Sequence, residues 1–176
     1  MKKYLLSFLM AAVMMISSNT FAADNVLSVV PYMKTLDQAA IGNVQFQYQR
    51  KLIPTLSGFI RISPSVDFEY EGQSFQYDNL TFGVRQDLLF FYVGIAYDTL
   101  SGSYSDGSNS ADITVSGLLF EIGQNLDIGP IRFGAGLGAQ MANVDINYSS
   151  SEFDIDLITT DSLWLIEFYA EAGYKF

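Results

Sequence analysis

Cysteine and histidine are both absent from the 176-residue sequence. Without cysteine the chain has no disulfide, no thiolate metal ligand and no cysteine to carry a lipid anchor. Without histidine, a Ser-His-Asp or Cys-His catalytic arrangement and the usual zinc sites are excluded. A carboxylate pair remains, since Glu167 and Glu171 would share one face of a strand. Their separation of about 13 Å is too large for a glycosidase pair, so we expect no enzymatic activity.

Long apolar runs are scarce as well. The longest after residue 22 is LLFFYVGIAY (88–97), which suits a membrane-spanning strand of about ten residues and is far too short for a spanning helix. The apolar run from Tyr4 to Ile16 follows two lysines and precedes a small-residue exit at Ala22 or Ala23, the pattern of a secretory signal peptide. We therefore assign 1–22 to a signal peptide and 23–176 to one domain.

Basic residues are few. The segment 1–22 holds Lys2 and Lys3 and no acid, so the remainder has seven basic and 19 acidic residues and a net charge of −12. Such a charge argues against nucleic-acid binding and against a polybasic contact with a membrane surface. Only three lysines remain after residue 22, whereas the surface of a soluble protein usually mixes many lysines with its acids.

What the sequence does contain is apolar alternation with period two, which predicts β-strands. In 56–70, for example, Ile60, Ile62, Val66 and Phe68 alternate with mostly polar residues. Eight such segments lie near 26–33, 41–50, 56–70, 75–87, 89–100, 112–126, 131–147 and 162–176. In 112–126 the stripe of Leu118, Phe120 and Ile122 is out of phase with Ile113 and Val115, which predicts a bulge or a register change.

The connections between segments alternate in kind. Three are tight, namely 51–55, 86–89 and 127–130, and the others are generally more polar and sometimes longer, namely 34–40, 71–74, 101–111 and 147–161. In an up-and-down barrel, alternate connections fall on the same rim. Short turns on one rim and longer loops on the other are typical of bacterial outer-membrane barrels.

A soluble lipocalin-like barrel also alternates, with its apolar face turned inward. Three features favour a membrane barrel instead: a polar face whose acids and arginines would pair inside a barrel while lysine is scarce, aromatic residues near segment ends, and the ten-residue apolar run 88–97. In hydrocarbon a sheet must close to satisfy its backbone groups. We expect an all-β, closed, antiparallel up-and-down transmembrane barrel of about eight strands.

The whole chain after residue 22 resembles the small outer-membrane barrels of the OmpA-transmembrane and OmpX type. The most specific element is the ending FYAEAGYKF, where Phe168, Tyr174 and Phe176 share one phase and resemble the family's C-terminal insertion signal. The resemblance implies a monomer in the outer membrane of a Gram-negative bacterium, with both termini periplasmic. It also implies insertion by the barrel-assembly machinery and contact with lipid and lipopolysaccharide. Unlike full-length OmpA, the sequence is expected to end at the barrel, with no peptidoglycan-binding domain.

The inner face carries the candidate site residues. We expect ion pairs between Arg61, Arg85 and Arg132 and the acids Glu121, Glu167 and Glu171, with Asp98 as a further candidate. Eight strands leave a lumen only wide enough for side chains, so this network would close it. Gly134, Gly136 and Gly138 recur on one face of a strand and open no helix, so they do not form a nucleotide loop. We expect them to make room for bulky inner side chains such as Tyr169, or to permit curvature, with a small inner cavity as the alternative.

Function is then expected at the connections 101–111 and 147–161, which could contact an extracellular ligand. Their acids make Asp154 and Asp156 weak candidates for divalent-cation binding, although their spacing matches no EF-hand. We expect no cofactor. The expected role is structural or surface interaction: membrane integrity, adhesion or a receptor surface. A narrow channel for small solutes is the first alternative. The second is an enzyme that modifies outer-membrane lipid, which the lack of histidine disfavours.

Overall fold

A computed structural model describes residues 25–36, 39–70, 73–105, 109–150 and 157–176 of the chain. The strands are β1 (Asn25–Leu36), β2 (Ala39–Ile53), β3 (Leu56–Ile62), β4 (Val66–Tyr70), β5 (Gln73–Asp87), β6 (Tyr92–Ser105), β7 (Asn109–Ile128), β8 (Ile131–Ser150) and β9 (Leu157–Lys175). The described part of the chain contains no helix long and apolar enough to cross a membrane.

The strands form a closed antiparallel barrel. Neighbours along the chain pair with one another except β3 and β4, β1 pairs with β9, and β3 pairs with both β2 and β5. The two ends of the described chain meet through reciprocal backbone hydrogen bonds of 3.0 Å between Asn25 and Phe176. Because β3 and β4 both pair with β5 and are halves of one segment, the barrel has eight strands, and the predicted fold is confirmed.

The short break between β3 and β4 contains Pro64, which has no N–H to donate to a ladder. Side chains replace the missing pairs there. The Asn43 amide donates to Pro64 O at 3.4 Å and its Oδ1 accepts from Val44 N at 2.7 Å. Across the same seam, Tyr77 donates from its hydroxyl to Gly42 O at 2.6 Å. Within the described residues, β2 therefore has no backbone pairing with β4.

The outer face of the barrel is apolar and exposed. Exposed large hydrophobic side chains point outward from β1, β2 and β5 to β9, among them Phe46, Phe82, Ile95, Phe120 and Phe168. Soluble monomers rarely expose a continuous apolar patch larger than a few hundred Å². A soluble barrel would reverse this arrangement, so the exterior fits contact with lipid.

Several strands run further than the alternation predicted. The predicted connection 34–40 is mostly strand, because β1 continues to Leu36 and β2 begins at Ala39. Likewise, β6 and β7 enter the predicted loop 101–111, and β8 and β9 enter the loop 147–161. Backbone pairing continues where the apolar pattern fades, because the hydrogen bonds of the sheet join main-chain groups and do not depend on an apolar outer face.

The predicted bulge in 112–126 is wrong. The pairing of β7 with β6 and with β8 is continuous in register through this segment. Leu118 and Phe120 lie outside, whereas Val115 lies inside. Val115 belongs to an apolar layer in the lumen with Leu100, Ala142 and Leu165, against which Ile113 packs. The mixed phase thus reflects an apolar section of the interior.

The two ends of the barrel differ. We call the end with the tight turns and with Asn25 and Phe176 the terminal end, and the opposite end the hairpin end. At the terminal end, the turn between β7 and β8 is closed by Gly129, whose φ of 61° suits a glycine in a two-residue hairpin turn.

Candidate functional site: a charge ladder in the lumen

Seven buried charged side chains form one continuous series inside the barrel, which we call the charge ladder. Acids and bases alternate along it in the order Asp98, Lys34, Glu167, Arg61, Glu121, Arg85 and Glu171. The members come from six strands and all point inward, because inward and outward residues alternate along each strand. Each charge except the first and last lies between two of opposite sign.

The half of the ladder nearer the hairpin end is centred on Lys34. Its ammonium group forms a short ion pair with Asp98 and lies 3.4 Å from Glu167 Oε2. Two neutral side chains also bind the Asp98 carboxylate: Thr81 Oγ1 donates at 2.6 Å and Asn79 Nδ2 at 3.1 Å, both to Oδ1. A buried carboxylate is tolerated when such donors replace the water it has lost.

The other half contains the two arginines. Glu121 lies between them, with Oε1 2.5 Å from Arg61 Nη1 and Oε2 3.1 Å from Arg85 Nε. Arg61 Nη1 also lies 3.4 Å from Glu167 Oε1, and Arg85 Nη1 lies 3.2 Å from Glu171 Oε2. Ser28 completes the series by donating from Oγ to Glu171 Oε1 at 2.7 Å.

Aromatic rings cover the guanidinium groups. Arg61 Cζ lies 4.7 Å from the ring centres of Phe59 and Tyr169. Arg85 Cζ lies 4.5 Å from the ring centres of Phe59 and Tyr92. The Nη2 atom of each arginine is buried and has no hydrogen-bond partner among the described residues. The ring faces therefore supply attraction where hydrogen bonds are missing.

Two glycines make room for these rings. Gly123 and Gly136 are paired across β7 and β8. A Cβ atom would lie 2.4 Å from the Tyr92 hydroxyl at Gly123 and 2.4 Å from the Tyr169 hydroxyl at Gly136. The two hydroxyls are themselves 2.5 Å apart. At Gly136, the space for Tyr169 is the one that the alternating glycines predicted.

The structure brings together five of the six residues named from the sequence as a lumen network. Arg132 is the exception, because it pairs with Asp127 at the terminal end, with Nε 2.8 Å from Oδ1. Sequence reasoning missed Lys34, which it assigned to a connection. The available signal was its phase, since Lys34 continues the inward series of Ser28, Val30 and Tyr32.

The ladder has four acids and three bases, so with every group ionised it carries a net charge of −1. No group of three or more acidic side chains in the described residues is arranged to hold a metal ion. The predicted cation candidates Asp154 and Asp156 lie outside the described residues, as does the predicted signal peptide. Within the described lumen, the ladder fills space with side chains whose charges are balanced except for one acid.

No protein-family model and no curated protein matches the sequence. Solved structures do match the fold. The outer membrane protein AlkL, determined in lipid bilayers, matches with a TM-score of 0.63 at 12% identity, over 88% of this chain and 90% of that one. OprG from Pseudomonas aeruginosa matches with a TM-score of 0.60 at 9% identity, over 88% and 95%. The chain has the fold of the small eight-stranded outer-membrane barrels.

A third match is the attachment invasion locus protein Ail of Yersinia pestis, with a TM-score of 0.52 at 11% identity, over 88% of this chain and 97% of that one. At identities this low, the likeness extends to the fold and not to the function. The role of this barrel has to be argued from its own lumen and its own surface.

Proposed function

We propose that this chain is a closed, monomeric outer-membrane barrel whose role is structural or lies in surface interaction, not in catalysis. The proposal puts the terminal end in the periplasm and the hairpin end outside the cell. It includes removal of 1–22 on export. Phe168, Tyr174 and Phe176, which are exposed on the outer face, serve in it as the signal for the barrel-assembly machinery.

The observation that carries the proposal is the filled lumen. From the hairpin end inward, the described interior contains the apolar layer around Val115 and then the charge ladder, with the tyrosine pair above Gly123 and Gly136 packed against the arginines of the ladder. Eight strands leave space for side chains only, and these layers use it. A barrel without a pore acts on its surroundings through its outer face and its ends.

The charge of the hairpin end indicates the class of surface partner. Of the side chains that the structure describes towards that end, Asp78, Asp112 and Asp145 are acidic, and the nearest basic residue, Lys34, is paired with Asp98 in the ladder. The Ail barrel has also been crystallised with the heparin analogue sucrose octasulfate. An acidic end repels such a polyanion, so we expect a cationic partner or one bridged by divalent cations.

The first test is conductance. The protein refolded into a planar bilayer should show no steady openings, because the ladder and the apolar layer fill the lumen. Heat-modifiable gel migration of the same preparation would establish that the barrel is folded. Steady openings from a folded sample would contradict the closed lumen and favour the alternative, a narrow channel for small solutes.

The second test addresses the surface role. Cells producing the protein should bind a basic surface, such as polylysine-coated beads, better than cells with 147–161 shortened. Shortening 101–111 is the matched variant, since it tests the other long hairpin. If cells with and without the protein bind the beads equally, the proposed surface role is contradicted. Mass spectrometry of lipid A from the same strains tests the enzymatic alternative, and a mass change that depends on the protein would support it.

A further inference from the structure

A cavity of about 360 Å³ opens at the terminal end of the lumen. Its floor is formed by inward residues, including Gln49, Ser57 and Tyr92, and its edge by the apolar turn 88–91. The charged residues in its wall are Lys51, Arg132, Lys175, Asp87 and Asp127. Its volume lies in the lower part of the range of ligand pockets, about 300–1,000 Å³.

The wall of the cavity is cationic, with three bases and two acids. Asp127 alone receives Arg132 at 2.8 Å and Lys175 at 3.0 Å, so this triad has a charge of +1. The charge ladder further inside the lumen has the opposite net charge, because it has one more acid than base. All four basic residues of the described chain that are outside the ladder lie at this end: Arg50, Lys51, Arg132 and Lys175.

A buried polar atom in the same wall lacks a partner. Asn125 Oδ1 is buried and makes no hydrogen bond within the described residues. Buried polar atoms are normally paired. The amide can present either its oxygen or its nitrogen, since the two are interchangeable by rotation. Its oxygen faces the backbone of Gly134, so a ligand would reach this amide only after the side chain rotates.

The turn 88–91 at the edge of the cavity is apolar, although charged residues line the cavity beside it. Leu89 is 95% exposed and Phe90 is 81% exposed. A backbone hydrogen bond of 2.8 Å from Leu88 N to Phe91 O holds the turn in shape. A cationic cavity beside a projecting apolar turn offers separate surfaces to the two parts of an amphiphile.

We infer that this cavity binds the headgroup of an anionic phospholipid from the periplasmic leaflet. The phosphate contacts Lys51, Arg132 and Lys175, and the acyl chains lie along Leu89 and Phe90. The volume of the cavity is enough for a headgroup and too small for the acyl chains as well. This agrees with a position of the chains outside it, on Leu89 and Phe90. The inference rests on the proposed orientation of the barrel, which puts the terminal end in that leaflet.

Native mass spectrometry of the folded protein in detergent, titrated with phosphatidylglycerol or phosphatidylcholine, tests the site without requiring any orientation. We expect phosphatidylglycerol to bind more tightly, and Lys51→Gln and Arg132→Gln each to weaken it about tenfold. Arg50→Gln is the matched control, because it removes the same charge from the same end without lining the cavity. Equal loss in all three variants, or equal binding of both lipids, would overturn the inference.

Two further variants guard against misfolding and against the wrong ligand. Asp127→Asn removes a competing carboxylate and should tighten phosphatidylglycerol binding, a gain that misfolding cannot produce. Phe90→Ser should weaken binding of the lipid, whereas Leu52→Ser, in β2 beside another turn at this end and outside the cavity, should not. If inorganic phosphate competes with the lipid and Phe90→Ser has no effect, the ligand is a free oxyanion and the lipid inference fails. A conducting barrel would refute the proposed function and leave this result intact.

Discussion

The ion pairs of the charge ladder and those at the terminal end use the same residue types in different surroundings. In the ladder, Arg61 and Arg85 are completely buried, with relative side-chain exposures of 0%. At the terminal end, the Arg132 side chain is 11% exposed and Asp127 is 34% exposed. The geometries are similar, since Arg132 Nε lies 2.8 Å from Asp127 and Arg85 Nε lies 3.1 Å from Glu121.

This comparison teaches that similar geometry does not mean similar contribution. A buried charge that loses its partner has no water to replace it, and the loss costs about 3–5 kcal/mol. A solvated pair has water as a substitute and contributes about 0–1 kcal/mol. The ladder should therefore be sensitive to single substitutions, and the terminal end tolerant of them.

The largest effect is expected for Arg85→Met. The change leaves Glu121 and Glu171 each without one cation in a region that excludes water, and should lower the free energy of unfolding by about 3–5 kcal/mol. Urea unfolding in lipid vesicles, followed by tryptophan fluorescence, would measure it. A loss below 1 kcal/mol would mean that water enters the lumen and that the comparison with the terminal end fails.

A smaller effect is expected for Gly136→Ala. The new methyl group would lie 2.4 Å from the Tyr169 hydroxyl, so the ring that covers Arg61 must shift, at a cost of about 1–3 kcal/mol. Gly102→Ala is the control, because the nearest atom to its added Cβ is 3.7 Å away. Equal stability of the two variants would show that the ring position is not fixed by the glycine.

At the terminal end, Arg132→Gln should lower the free energy of unfolding by at most about 1 kcal/mol. The difference from the wild type should shrink as salt increases, because the Debye length falls from about 10 Å at 0.1 M to about 3 Å at 1 M. The effect of Arg85→Met should change little with salt, since its charges are buried. If the effect of Arg132→Gln does not change with salt, the Arg132–Asp127 pair behaves like the buried pairs of the ladder and the comparison fails.

The smallest effect is expected for Lys175→Gln, a few tenths of a kcal/mol. Lys175 contributes one contact of 3.0 Å to Asp127, which keeps both of its contacts to Arg132. Unfolding curves at low salt would detect the change. A cost above that of Arg132→Gln would reverse the ranking of the two cations.

Alternation along the sequence was sufficient to predict the barrel and the face on which most of the ladder lies. It identified Arg61, Arg85, Glu121, Glu167 and Glu171 as inward residues because phase determines the face. Phase does not determine depth, which depends on the register between strands. Arg132 pairs directly across from Asp127 near the tip of the hairpin between β7 and β8, and its phase alone could not reveal this.

Lys34 and the apolar layer were missed for a related reason. The polar stretch 34–40 indicated a connection and so took Lys34 out of the strand, and the expectation of a polar lumen made Val115 evidence for a bulge. The interior is mixed: apolar side chains fill it near the hairpin end and charged ones fill it below. The continuous pairing of β7 with its neighbours shows that the inward phase runs unbroken through the apolar and the charged sections.

The position of β9 links the ladder to barrel assembly. Glu167 and Glu171 both belong to β9 and contact all three cations of the ladder, which come from β1, β3 and β5. The pairing of β9 with β1 also closes the barrel. The acids of β9 therefore reach the cations only when the wall closes. We expect the open intermediate to keep its lumen hydrated and the final step of insertion to be all-or-none.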